Sequence, residues 1–133
     1  MSKFTGPLNV SFSDARSARL QEDLIWEADE LGSGRIIVVP KGFTSDGASV
    51  PRLLWWFLPP WGDKSTRAAI LHDYLRTMIS RGTPVDGIER WAQADWQFFL
   101  ALRALKVNVV KALLAWLGVR AYSVFAVLTN RTT

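Results

Sequence analysis

A chain of 133 residues, 49% of them hydrophobic, is long enough for one self-supporting core and too apolar to be disordered. It has no cysteine, which excludes disulfides, thiolate metal sites and cysteine nucleophiles, and with one histidine no zinc site is expected. The net charge of +4 is scattered without Lys/Arg runs, so no specific nucleic-acid binding is expected.

The N-terminus shows no charged-then-apolar signal pattern, because Lys3 is followed by a Gly-Pro turn. Residues 7–12 alternate, with Leu8, Val10 and Phe12 apolar, and read as a strand. Residues 19–28 read as a second strand, and Leu31-Gly32-Ser33-Gly34 as a turn. Ile36, Ile37, Val38 and Val39 form a β-branched run typical of a buried strand, hairpinned antiparallel to the one before. Residues 41–52, KGFTSDGASVPR, read as an irregular loop. Ser49 then caps a short helix opened by Pro51 and stopped by Pro59-Pro60.

The remainder reads as three helices: from Ser65 or Thr66 to about Ser80, from about Val85 to Leu105, and from about Val107 to Leu128. Arg81-Gly82-Thr83-Pro84 breaks the first from the second. The third has nearly the length that spans a bilayer, but Lys111 and Arg120 interrupt it, so a core or surface helix is expected rather than a span. The expected fold is α+β: an N-terminal antiparallel β segment, hairpin or meander, followed by a bundle of three main α-helices. One domain covers 1–133, with strands mainly in 1–40, loop and short helix in 41–64 and helices in 65–130.

His72 shares a helix face with Ala68, Leu75 and Ile79, which predicts burial. Asp73 lies about 100° round the same helix and points elsewhere. Asp95 falls on the apolar stripe of the next helix, with Trp91, Phe98 or Phe99, and Leu102. A buried carboxylate needs a partner, and His72, Arg76 and backbone donors are available. The short Gly-Pro break favours antiparallel packing, which brings His72 and Asp95 face to face. An Asp bonded to one imidazole nitrogen fixes the tautomer and leaves the other nitrogen as a base toward water. Asp73 can face the loop at 42–49, where a carboxylate and loop carbonyls are hard oxygen donors suited to Ca²⁺. Alternatively, His72 and Asp95 are a structural pair tying two helices, and Asp46 and Ser49 are turn and cap residues.

The motifs GFTSDGASVPR (42–52), LHDYLR (71–76) and AD (94–95) resemble an uncharacterised family of phages and prophages, the domain of unknown function numbered 1353. The resemblance covers residues 42 to about 122 and implies a phage or prophage origin without an activity. The same residues resemble, more loosely, the bacterial secreted phospholipase A2. That likeness implies His72 as base, Asp95 as its partner, and Asp73 with Gly42, Asp46 and Gly47 around Ca²⁺. Ser49, Arg52 and Arg76 take structural or substrate-positioning roles. Arg76 stands where that class has tyrosine, and its disulfides are absent.

Two functions follow as expectations. One is a Ca²⁺-assisted His/Asp hydrolase acting on an ester or lipid of the host envelope. The other is a non-catalytic virion, tail or host-interaction protein in which these residues are structural pairs. The expected partners are a membrane or cell-envelope surface and phage structural proteins. The expected location is the host cytoplasm on synthesis and then the virion.

Overall fold

The computed structural model describes residues 3–5, 10–14, 17–28, 35–45, 66–85 and 88–128. Among these the chain is α+β, with antiparallel strands first and three helices after. The strands are β1 (Lys3–Thr5), β2 (Val10–Asp14), β3 (Ser17–Leu20), β4 (Leu24–Ala28), β5 (Arg35–Val39) and β6 (Thr44–Ser45). They form two three-stranded sheets, ordered β1-β4-β5 and β2-β3-β6. The hairpin expected between the second and third apolar runs is present: β4 and β5 pair antiparallel from Leu24↔Val39 to Ala28↔Arg35.

Three expectations for the strands are corrected. The strand placed at 7–12 is Val10–Asp14, with residues 7–9 outside the described ones. The segment 19–28 is not one strand. It breaks at Gln21–Asp23, three exposed polar residues, where the Asp23 carboxylate accepts the Lys41 amide at 2.7 Å. The run 36–39 is covered on one side only: Ile37 and Val39 are buried, while Ile36 and Val38 face outward. The loop at 41–52 is regular at its start. Phe43 N–H donates to the Pro40 carbonyl, Gly42 takes the positive φ of +91° that this turn needs, and Thr44–Ser45 pairs with β3. The short helix expected after Pro51 lies outside the described residues, as does the turn at 31–34.

The helices are α1 (Thr66–Ser80), α2 (Trp91–Ala104) and α3 (Val109–Leu128). The second starts six residues later than periodicity predicts. The chain first makes a small bridge between Val85 and Ile88, which buries Ile88. Gln93 then reaches back, its Oε1 accepting the amides of Glu89 (2.8 Å) and Arg90 (3.0 Å), and α2 begins. At the other end Val107 N–H donates to Leu102 O and Lys106 N–H to Arg103 O, a Schellman closure with Lys106 at φ +66°. Asn108 then accepts the Val110 amide at 2.8 Å and caps α3.

The middle helix, α2, packs between α1 and α3 and touches β1. Sheet and helices share one core. Trp26 is fully buried, packs on Phe4, and donates its indole N–H to Gln97 of α2 at 2.8 Å. That bond ties β4 to the helix carrying Asp95.

Candidate functional site

His72 and Asp95 meet as the helix pairing predicts. His72 Nε2 and Asp95 Oδ1 are 2.6 Å apart, and both side chains are completely buried. Phe98, one turn after Asp95, lies against the imidazole with ring centroids 4.8 Å apart. The antiparallel α1–α2 contact sets this geometry, because the two polar groups sit on the faces each helix turns to the other.

The second oxygen of Asp95 is held from α3. Arg120 and the Ser123 hydroxyl each donate to Oδ2 at 2.9 Å. Neither was anticipated as a partner, since Arg120 read only as an interruption of an apolar helix. A signal was present in the spacing, however. Ser123 continues the stripe Ala112, Ala115, Val119, which is the buried side of α3. A hydroxyl on a buried stripe needs a polar partner.

Arg76, one of the available partners for Asp95, stacks on aromatic rings. Its guanidinium lies over the Trp91 ring at 3.9 Å and near Tyr122 at 5.4 Å. It faces Asp95 only at longer range, through the field between them.

The charges divide cleanly. Burial pulls the His72 pKa below its ordinary 6.5, and the bond to Asp95 only partly opposes this, so the imidazole is neutral at pH 7. Burial alone would raise Asp95, but the donors His72, Ser123 and Arg120 outweigh it and hold the carboxyl below its ordinary 3.8. An ionised Asp95 only accepts, so the shared proton sits on Nε2 and Nδ1 carries the lone pair. The buried anion is countered by Arg120, whose side chain is 27% exposed and keeps contact with water.

Asp73 points the other way and accepts the Ser45 hydroxyl at 2.7 Å. Ser45 belongs to the motif at 42–52, so α1 bonds both other motifs, Asp95 through His72 and Ser45 through Asp73. Gly42 lies three residues earlier, in the turn beside Arg19. Asp46, Gly47, Ser49 and Arg52 lie outside the described residues. Among the described residues no three His, Asp or Glu side chains gather to hold a metal ion. Asp73 therefore offers one carboxylate, already bonded by Ser45, toward a cation.

Two clefts flank the cluster, with Trp91 as their shared wall. One, of about 630 Å³, is bounded by Ile79, Pro84, Trp91, Arg120 and Val124 and reaches Ser123. The other, of about 350 Å³, is bounded by Asp73, Arg76, Thr77 and Tyr122. The Trp91 indole N–H is buried and has no hydrogen-bond partner among the described residues. His72 lines neither cleft.

In comparison with known proteins, the model of one family, described as "Protein of unknown function (DUF1353)", matches residues 18–119. The match contains the three motifs and stops one residue short of Arg120. No curated protein and no solved structure matches.

Proposed function

The chain belongs to the DUF1353 family, and from that premise we propose that it is a phage or prophage hydrolase of the His/Asp type, acting on an ester or lipid of the host envelope. One observation carries the reading: the His72–Asp95 bond of 2.6 Å, made by a helix that also bonds the loop motif through Asp73 and Ser45.

In this mechanism Asp95 holds His72 with Nδ1 as the basic nitrogen. Nδ1 takes a proton from water, and the hydroxide forms a bond to the ester carbonyl carbon. The bond to the alcohol oxygen then breaks, and the proton passes from Nδ1 to that oxygen, giving acid and alcohol. While protonated, the imidazolium is stabilised by the Asp95 carboxylate, itself fixed by Arg120 and Ser123. Asp73 and the backbone carbonyls of Gly42, Asp46 and Gly47 would hold a Ca²⁺ ion in this scheme, and the ion would supply polarisation of the substrate carbonyl. The likeness to phospholipase A2 supports these assignments by analogy.

A second reading has its own observation. His72 has no exposed surface and lines neither described cleft, as suits a structural pair in a virion, tail or host-interaction protein. Assays of ester and phospholipid hydrolysis, with and without Ca²⁺, separate the two. The hydrolase reading expects turnover that His72→Ala abolishes while far-UV circular dichroism stays unchanged. It also expects an acid limb below pH 6.5, set by protonation of His72. A wild-type protein inactive across the panel refutes the hydrolase and leaves the structural pair.

A further inference from the structure

The third helix is built inside out. Its buried stripe is small: Ala112, Ala115, Val119 and Ser123, which let it lie close on α2. Its large apolar residues point away from the protein. Val110, Leu113, Leu114, Leu117, Val124 and Phe125 are all exposed, from 42% at Leu113 to 59% at Val110. At helical spacing these six fall within an arc of roughly 120°, with no charge inside it. Lys111 borders the arc on one side and Arg120 on the other. Trp96 of α2, 40% exposed, stands at its flank, edge-on to Trp116.

Charge identifies what covers this face. From residue 96 to 133 the chain has no Asp or Glu, and it carries Arg103, Lys106, Lys111, Arg120 and Arg131. A second copy packed on the same face would bring a segment without acids against itself and offer Lys111 no anion. An anionic bilayer meets both demands: the apolar arc enters the acyl boundary, and the exposed Lys111 beside it meets the headgroups. An exposed Trp at the flank is the residue type that favours this boundary. The helix has 20 residues, and among those described no helix is long and apolar enough to cross a membrane. It therefore lies on the surface rather than spanning it.

We propose that the outward face of α3 docks on an anionic lipid bilayer, with the exposed Lys111 at the edge of the inserted apolar arc. The larger cleft has Val124 and Arg120 in its walls, so docking sets its mouth beside the lipid surface. This inference is independent of any catalysis at His72.

Co-sedimentation with vesicles tests it. The wild-type chain is expected to pellet with phosphatidylglycerol-containing vesicles at low salt, to bind pure phosphatidylcholine far less, and to be released as salt rises. Leu117→Asp, at an exposed position that the core does not use, is expected to weaken binding at least about tenfold. Lys111→Glu leaves the apolar arc whole and is expected to weaken binding several-fold on phosphatidylglycerol only. Absence of wild-type binding, equal binding to both lipids, or undiminished binding by Leu117→Asp overturns the proposal. A dimer in sedimentation velocity that Leu117→Asp dissociates, without vesicle binding, assigns the face to a second copy and also overturns it. Hydrolysis of a soluble monomeric ester by Leu117→Asp depends on the His72 reading alone, so the two failures are distinguishable.

Discussion

The two sides of α3 reverse the usual placement of polar and apolar groups. On the inner side a carboxylate, an imidazole, a guanidinium and a hydroxyl meet among buried residues. On the outer side leucines, valines and a phenylalanine face away from the protein. Inside, the polar groups are tolerated because each oxygen of Asp95 has donors and the ion has a counter-ion with access to water. Outside, Val110, Leu113, Leu114, Leu117 and Val124 are exposed and take no part in the core of the described residues. Pairing decides the inner side, and our proposal assigns the outer one to a lipid surface.

The inner side breaks most readily at its centre. Asp95→Ala strands His72 Nε2, the Ser123 hydroxyl and Arg120 around a cavity, and is expected to cost about 3–5 kcal/mol in urea unfolding. Arg120 keeps the loss toward the lower end, because it can turn to solvent. A loss under about 1 kcal/mol would mean that the cluster is not the anchor of the three-helix junction.

A pair of leucines sharpens the contrast next. Leu102, fully buried on α2, is expected to cost about 3 kcal/mol as Leu102→Ala, and Leu117→Ala less than about 0.5. Similar costs for the two would show that the outer face is covered within the folded chain.

How much of this was legible in the sequence follows from the range of the forces. The His72–Asp95 pair was readable because two helical stripes and a short break bring them together. The body of α1 was readable from its periodicity and from the break at Arg81–Pro84. The start of α2 was not, because a single side chain, Gln93, sets it by accepting two amides. The one-sided burial of β5 was hidden, since a β-branched run looks alike whether one face or both are covered. Arg120 and Ser123 lie 25 and 28 residues from Asp95, on a helix whose hydropathy drew attention to its outer face. Arg76 was placed on the correct side of α1, but the Trp91 ring it stacks on draws it away from the carboxylate.

The inner cluster also sets a pH dependence. The folded chain holds His72 below 6.5, chiefly by burial, so the unfolded chain takes up that proton first. Stability from the neutral imidazole is complete above about pH 6.5 and is lost as pH falls toward the folded value, at no more than about 1.4 kcal/mol per pH unit. Asp95, held below 3.8, has the same sign: its contribution is present above that value and is lost as pH falls through its folded pKa. His72→Gln is expected to flatten the slope just below pH 6.5 while leaving the loss at lower pH. An unchanged slope in that variant would assign the acid sensitivity to other groups.

The smallest expected effect lies at the joint between the two sides. Lys106 ends α2 in the left-handed region, φ +66°, where a side chain other than glycine is strained. It is exposed, and the closure it permits uses backbone bonds alone, Lys106 N–H to Arg103 O and Val107 N–H to Leu102 O. Lys106→Gly keeps both bonds and relieves the strain, at some cost in unfolded-chain entropy. A net gain of about 0.5–1 kcal/mol is expected, read as a Tm higher by a few degrees. The same change removes one cation from a segment without acids, so vesicle binding should weaken slightly as stability rises. That opposite movement matters more than either size. Our proposal gives stability to the inner side of α3 and binding to the outer side, so a joint residue that shifts them in opposite directions would show that the two are separately encoded.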